Sequence, residues 1–149
     1  MTIKDILDNN RRIEIKNLKS AYDKNNNLVN ILKNNGFKRW KKLYDGTYEV
    51  WGDLIENPNN LPVKIKILHG NFQCTIPYLE SLNGCPEIIY GNFGCDNNKL
   101  KNLKGGPKIV KGNYNCEENE LESLEGSPKE IGGNFICNNN YKNLKTLKG

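Results

Sequence analysis

The sequence is poor in apolar residues and in the side chains that most enzymes use for chemistry. Hydrophobic residues make up 36% of the 149 residues and the mean hydropathy is −0.73, whereas an average globular domain is roughly 45–50% apolar. The chain contains one histidine and one methionine. This length predicts a single domain with at most a small attachment, and the low apolar content argues against a core of several packed layers.

Long apolar runs are also missing. No stretch approaches the roughly 18 apolar residues of a membrane-spanning helix, and the first residues lack the apolar segment of a secretory signal. We therefore expect a cytoplasmic protein. The five cysteines are an odd number, and the reducing cytosol argues against a disulfide framework.

Motifs for catalysis are absent as well. The sequence has no G-x-S-x-G, H-E-x-x-H, Walker or C-x-x-C motif. The single histidine, His69, is predicted to be a solvated loop side chain. We accordingly expect no enzyme, no metal and no other cofactor.

A 21-residue repeat organises the second half of the chain. Its markers are four evenly spaced cysteines, Cys74, Cys95, Cys116 and Cys137. Each has a glycine four residues before it, then an asparagine and an aromatic residue, and the first three are followed by two leucines and a Gly-x-Pro turn. The unit is I-x-G-N-F-x-C-x-x-N-x-L-x-x-L-x-G-x-P, and so many columns in one register exclude coincidence.

Such a repeat predicts a solenoid, because one unit cannot bury its own Phe, Cys and Leu side chains whereas stacked units share a continuous core. In F-x-C the alternation of a strand points Phe and Cys inward. We predict a β-rich solenoid with one parallel sheet and about four turns over residues 61–149.

The unit resembles the leucine-rich repeat of the short bacterial kind, L-x-x-L-x-L-x-x-N-x-L. The aromatic residue and Cys take the two strand Leu positions, and Asn98, Asn119 and Asn140 take the Asn position. The unit is also similar to those of small repeat proteins in bacteriophages and mobile elements. That resemblance implies such an origin and a host cytoplasm as location. By analogy, it implies an inhibitor that blocks a host defence protein or a nucleic-acid-guided complex.

Residues 1–60 lack this period and are predicted to cap the solenoid. Leu28, Ile31 and Leu32 form an apolar helical stripe, and residues 39–51 predict a β-hairpin with a two-residue turn at Asp45-Gly46. Residues 52–61 resemble a degenerate first repeat that lacks about three residues.

The repeat also predicts the roles of several single columns. The four repeat cysteines are expected to be inert core thiols, and Cys85, in a Gly-x-Pro turn, to be more exposed and more easily alkylated. Asn98, Asn119 and Asn140 are expected to hydrogen-bond the backbone of successive turns. The last repeat has no obvious cap in the sequence, so either the last loop seals the end of the solenoid or a strand edge stays available. For an available edge we predict homodimerisation or partner docking.

Protein binding is the function that the outward residues favour. Amide and acidic side chains dominate the outward positions, which suits a polar protein interface better than phosphate. Ile136, beside Tyr141, is the apolar hot-spot candidate in this set. The predicted partner-binding residues are Gln73, Thr75, Asp96, Asn115, Glu117, Glu118, Ile136, Asn138 and Tyr141.

Nucleic-acid binding is the alternative, and the net charge of +5 permits it. Basic residues interleaved with an aromatic side chain can bind phosphate and stack a base. The residues that would do so are Lys38, Arg39, Trp40, Lys41, Lys42, Lys99, Lys101 and Lys104.

Overall fold

The computed structural model describes residues 29–30, 32–34, 37, 39–61, 63–74, 78–140 and 144–146. The chain forms two compact units, Met1–Asn35 and Gly36–Gly149. In the first unit, residues 29–30 and 32–34 are helical and Leu32 is buried. Leu28 and Ile31 lie outside the described residues. Nowhere in the described ranges is a helix long and apolar enough to cross a membrane.

The second unit is a parallel β-solenoid of about four turns, as the repeat predicts. One short 3-10 helix, Pro58–Asn60, follows the third strand. The strands are β1 (Arg39–Lys42), β2 (Tyr48–Trp51), β3 (Leu54–Ile55), β4 (Ile65–His69), β5 (Phe72–Gln73), β6 (Ile88–Ile89), β7 (Phe93–Gly94), β8 (Ile109–Val110), β9 (Tyr114–Asn115), β10 (Glu130–Ile131) and β11 (Phe135–Ile136).

The strands form two sheets, and the prediction of one sheet is corrected. The first sheet has the order β1-β2-β4-β6-β8-β10, and the second has the order β3-β5-β7-β9-β11. All neighbouring pairs are parallel except β1 and β2. The aliphatic residue before Gly-Asn, which the repeat pattern placed before the strand, lies in a strand of its own. The Gly-Asn pair makes the corner between the two sheets.

Glycine is required at this corner because successive coils lie close together. A Cβ atom at Gly91 would overlap the carbonyl group of Gly70. The asparagines that follow the glycines link the coils, since Asn71 Oδ1 accepts a hydrogen bond from Asn92 N at 2.8 Å. Asn92 and Asn113 repeat this bond toward the next coil, also at 2.8 Å.

The core lies between the two sheets and the loop leucines. Its centre is a column of aromatic rings, with centroid separations of 5.7 Å for Phe72 and Phe93, 4.9 Å for Phe93 and Tyr114, and 5.5 Å for Tyr114 and Phe135. Each coil therefore adds one ring to a continuous stack. The predicted inward position of the cysteines is confirmed for the buried thiols of Cys74, Cys95 and Cys116, and Cys137 is half-buried.

The predicted degenerate repeat is the first coil of the second sheet. Leu54 pairs with Phe72 and Ile55 with Gln73. The offset is thus 18 residues instead of 21, as a coil lacking three residues requires. Asp53 replaces the corner asparagine, and its Oδ1 accepts a hydrogen bond from Asn71 N at 2.7 Å.

The predicted hairpin is formed by β1 and β2, with Trp40 opposite Val50. Its turn is longer than the two-residue turn expected. Leu43 N donates to Thr47 O at 2.8 Å, and Gly46 has φ +82°, the left-handed conformation that closes a three-residue hairpin loop. The Asp45 Oδ1 atom accepts from Thr47 N at 3.0 Å and from Thr47 Oγ1 at 2.6 Å, which makes the longer loop the stable one.

A column of buried asparagines holds the coils in register. Asn119 Oδ1 accepts from Leu100 N at 3.1 Å, and its Nδ2 donates to Cys95 O at 2.9 Å and to Cys116 O at 3.2 Å. Asn140 makes the corresponding bonds to Leu121 N, Cys116 O and Cys137 O. Asn98 Oδ1 accepts from Leu79 N in the preceding coil, and its Nδ2 donates to Cys95 O in its own coil. This confirms the predicted backbone role of the column.

Replacing Asn119 with alanine is expected to lower the free energy of unfolding by about 3 kcal/mol, because several buried backbone groups would lose their partner. Urea unfolding followed by circular dichroism measures the change. Asn138→Ala is the control, since Asn138 is exposed, and it should change stability by less than about 0.5 kcal/mol. Equal losses in the two variants would contradict the role of the column.

Tyr114 carries a poorly satisfied polar atom inside the core. Its side chain is fully buried, and among the described residues its hydroxyl meets only the thiol of Cys95, a weak hydrogen-bonding group. Desolvation raises the pKa of this hydroxyl well above its ordinary value. The other three coils have phenylalanine at this position, so the hydroxyl is not needed for packing.

Tyr114→Phe is therefore expected to raise the free energy of unfolding by about 1 kcal/mol, since it removes a buried hydroxyl whose contact with the Cys95 thiol is weak. The same urea titration tests this. Tyr90→Phe, in a side chain that is 52% exposed, should leave stability unchanged. A loss of stability in Tyr114→Phe would show that the contact between the hydroxyl and Cys95 stabilises the core.

Candidate functional site

The predicted partner-binding residues lie on the outer face of the second sheet and just past its strands. In register across the sheet, the outward positions are Ile55, Gln73, Gly94, Asn115 and Ile136. Two residues further along their coils are Asp96, Glu117 and Asn138. We call these residues, with Glu118, the polar face. Thr75 and Tyr141 lie outside the described residues.

Amide side chains organise the polar face. Gln73 lies across Gly94, where any Cβ atom would overlap its carboxamide, and its Nε2 donates to Asp96 Oδ1 at 3.0 Å. Asn115 Nδ2 donates to Glu117 Oε1 at 3.3 Å, and Asn115 Oδ1 accepts from Glu117 N at 3.0 Å. These contacts restrict both carboxylates to fixed positions.

The polar face carries negative charge that no lysine or arginine of the described residues offsets. Asp96, Glu117 and Glu118 lie close together in successive coils, and none forms a salt bridge with a described lysine or arginine. Only amide groups donate to them, including Asn139 Nδ2 to Glu118 Oε1 at 3.5 Å. The face is therefore complementary to a positively charged ligand.

Glu118 has an unfavourable backbone conformation. Its φ is +52°, in the left-handed region, where the neighbouring coils have Asn97 at +56° and Asn139 at +59°. Asparagine tolerates this region, whereas other L-residues lose roughly 1–2 kcal/mol there. The glutamate thus occupies a position at which asparagine serves the fold better.

Ile136 contributes apolar surface at one end of the polar face. It is half-buried and lines a shallow groove of about 340 Å³ together with Gln73, Gly94 and Asn115. The structure therefore places the predicted hot-spot residue beside the polar residues with which it was grouped.

The basic hairpin does not form one surface. Strand alternation places Trp40 opposite Val50, on the core-facing side, and Lys41 opposite Glu49, on the outer side. The Arg39 guanidinium lies over the Trp51 ring, 3.7 Å from its centroid. Lys42 is exposed on the side of Trp40, and Lys38 lies outside the described residues.

The second basic group is partly occupied by contacts within the chain. Lys99 Nζ lies 4.7 Å from the centroid of the Tyr78 ring. Lys104 Nζ is 3.0 Å from Glu125 Oε1, a pairing that the 21-residue column predicts. Lys101 is exposed, and its charge contributes to lowering the pKa of Glu122, after the larger effect of the hydrogen bond from Lys145 at 2.8 Å.

Sequence reasoning missed an aromatic stack on the outer face of the first sheet. The His69 ring lies between Trp51 and Tyr90, with centroids 4.5 Å away on both sides and interplanar angles of 1° and 12°. Its Nε2 lies 2.8 Å from Glu49 Oε1. The prediction of a solvated loop histidine is thus wrong: His69 ends β4 and packs against its neighbours. The 21-residue spacing between His69 and Tyr90 was the sequence signal that could have revealed this stack.

Burial favours the neutral form of three thiols, those of Cys85, Cys95 and Cys116. Desolvation raises the pKa of Cys116 to about 12 and that of Cys95 well above its ordinary value. Cys85 is half-buried, and desolvation followed by a hydrogen bond with Cys74 raises its pKa as well. Cys85 is thus more exposed than Cys74, Cys95 and Cys116, as predicted, while its raised pKa opposes the expected ease of alkylation. In the described ranges no three His, Cys, Asp or Glu side chains are grouped so as to hold a metal ion.

Comparison with known proteins gives no relative. No protein-family model matches the chain, and no curated protein or solved structure is significantly similar to it. The solenoid fold therefore rests on the repeat and the coordinates, and the similarity to leucine-rich and bacteriophage repeats remains a resemblance between motifs.

Iodoacetamide at pH 8 is expected to alkylate Cys137 first, because it is half-buried in the last coil, and to leave Cys95 and Cys116 unmodified until the protein unfolds. Peptide mass spectrometry over a time course measures the order. Cys137→Ser should remove the fastest labelling and change nothing else. Rapid labelling of Cys95 or Cys116 in the folded protein would contradict their assignment as inert core thiols.

Proposed function

We propose that this chain is a non-enzymatic protein-binding module that recognises a basic segment of its partner through the polar face. It acts sterically, by covering a functional surface of that partner. The observation that carries the proposal is the cluster of Asp96, Glu117 and Glu118, which has amide donors but no cation within the described chain. A partner's lysine or arginine side chains would supply the missing positive charge.

The rigidity of the face favours tight binding. Gln73 and Asn115 hold Asp96 and Glu117 in place through hydrogen bonds of 3.0 and 3.3 Å. Side chains that are already ordered lose little conformational entropy when a partner binds. Ile136 adds an apolar anchor beside these charges, as protein interfaces commonly require.

The conformation of Glu118 supports a role in binding. A residue that keeps an unfavourable backbone conformation at a cost to stability marks a position to examine for function. Asparagine fits this position in the adjacent coils, so the fold gains nothing from a glutamate there. A binding role for the carboxylate explains its presence.

The motif resemblance to bacteriophage repeat proteins favours a host protein as the partner. Such a partner would be a defence protein or a nucleic-acid-guided complex, whose basic surface the chain would block. Homodimerisation is part of the same proposal. It would join two copies of the chain through the strands that end the two sheets, β10 and β11.

Nucleic-acid binding is the second candidate and has weaker support. Its aromatic residue, Trp40, faces the same side of the first sheet as Val50, a core residue of β2. Arg39 and Lys104 already contact Trp51 and Glu125. A base-stacking and phosphate-binding surface would need these groups free.

The experiment is quantitative affinity capture from host lysate treated with nuclease, with the intact chain immobilised. Proteins that bind through the polar face should be captured by the wild-type chain and depleted about tenfold by Glu117→Lys, a loss of about 1.4 kcal/mol. Ile136→Arg should deplete the same proteins. Glu118→Asn should weaken capture while raising the melting temperature, which separates binding from stability.

The control is Glu120→Lys, which makes the same charge change in the same coil at an exposed residue whose N–H bonds to Leu100 O. It should capture the partner as the wild-type chain does. Capture that disappears with nuclease, or that is lost on reversing Lys42 and Lys101 but not Glu117, would instead support nucleic-acid binding.

A further inference from the structure

The outer face of the first sheet carries a column of aromatic rings beside a column of isoleucines. One column consists of Trp51, His69 and Tyr90, and the other consists of Ile67, Ile88 and Ile109. The residues between these columns, Leu68, Ile89 and Val110, are fully buried, so strand alternation directs both columns outward. We call the six residues the apolar strip.

The apolar strip is not needed for the core. The core is closed on the inner side of the sheet, where the buried aliphatic residues meet the aromatic rings of the second sheet. On the outer side of a sheet that faces water, polar residues are the rule. Contiguous apolar residues on an outer face mark an interaction surface, and Tyr90, at the end of the stack, is 52% exposed.

The geometry of the stack determines what the strip can recognise. Both faces of the Trp51 ring are covered, one by the Arg39 guanidinium at 3.7 Å and the other by His69 at 4.5 Å. Tyr90 covers the second face of His69 at 4.5 Å. Trp51 and His69 thus have no free ring face for a base or a sugar, and they present their ring edges as a fixed ridge suited to aliphatic and aromatic side chains.

The charges beside the strip are unequally paired. Each nearby carboxylate contacts a group of the chain itself: Asp45 meets Lys66 at 2.6 Å, Glu87 meets Lys108 at 3.0 Å, and Glu130 meets Lys111. Glu49 meets His69 at 2.8 Å. The carboxylates on this side are therefore already satisfied and do not attract a basic partner.

Several cations at the edges of the first sheet have no carboxylate partner in the described part of the chain. Lys41 heads the isoleucine column on β1, and Lys64 and Lys129 lie at the loop edge of the sheet, where they line a groove of about 440 Å³. None of the three forms a salt bridge within the described chain. The apolar strip is thus bordered by positive charge on two sides.

We infer that the apolar strip is a second docking surface, which binds a polypeptide segment that combines apolar side chains with aspartate or glutamate. The apolar side chains would lie along the isoleucine column and the ring edges, and the carboxylates would meet Lys41, Lys64 and Lys129. Because the polar face has the opposite charge, the chain would hold two different partners and act as an adaptor. This surface shares no residue with the polar face.

The experiment selects ligands without assuming their sequence. A yeast-displayed library of random 12-residue peptides is selected on the full chain, and the enriched peptides are synthesised for fluorescence polarisation. The enriched sequences should pair Asp or Glu with Ile, Leu, Phe or Trp. Their Kd should rise about tenfold with Ile88→Lys, a loss of about 1.4 kcal/mol.

A second variant guards against misfolding. Lys41→Glu combined with Lys129→Glu changes exposed side chains that have no partner to lose, and it should weaken the same peptides to a similar extent. Two controls should leave the Kd within about twofold of wild type. They are Ile55→Lys, at an isoleucine of the second sheet that is 68% exposed, and Lys101→Glu, at an exposed loop lysine.

Four results would overturn the inference. The first is that no peptide is enriched, and the second is that only basic peptides are enriched and that Glu117→Lys abolishes their binding. The third is that a single-stranded oligonucleotide binds more tightly than the peptides and loses its binding with Ile88→Lys. The fourth is that the chain self-associates in sedimentation and that Ile88→Lys abolishes this association. The second result would leave the polar face as the binding site. Loss of peptide binding with Ile88→Lys alone, with the lysine reversals inactive, would also contradict the predicted acidic character of the ligand.

Discussion

The buried asparagine column is the constraint on which the rest of the solenoid depends. Most strands are two residues long, so backbone pairing between coils offers few hydrogen bonds to fix the register. Asn119 supplies what is missing, because one side chain both accepts from Leu100 N and donates to Cys95 O in the preceding coil. A carboxamide has an acceptor and two donors at this length, which explains why asparagine recurs at positions 98, 119 and 140.

Fixed register places equivalent residues directly above one another, and the surface charges follow from this. Lysine and glutamate alternate on the loop side, where Lys104 meets Glu125 at 3.0 Å and Lys145 meets Glu122 at 2.8 Å. Such pairs reduce the repulsion that a strict repeat would otherwise create. Asp96 and Glu117 depart from this alternation with the same sign in adjacent coils, and this is the reason for assigning function to the polar face.

The repeat allowed much of the fold and part of the candidate sites to be predicted. A strict period fixes which residues stack, so the solenoid, the inward cysteines, the asparagine bonds and the short first coil followed from spacing. The first sheet did not, because a corner at Gly-Asn has the same period as a straight strand. The way in which the hairpin joins the first coil determines on which side of β1 Trp40 lies and how His69 packs. Spacing does not predict these two features, because the period is broken there by three residues.

Economy of apolar residues gives the apolar strip its significance. The chain has only 36% hydrophobic residues, and each coil uses its own to fill a thin core: one aliphatic residue, one ring, one thiol and two leucines. Nevertheless, Ile67, Ile88 and Ile109 stand on the outer side of the sheet in three consecutive coils. The fold accepts charged residues in this column of outward positions, since Glu49 and Glu130 occupy its two ends. The solenoid therefore does not require isoleucine at every position of this column, and three in succession support the inferred contact with another polypeptide.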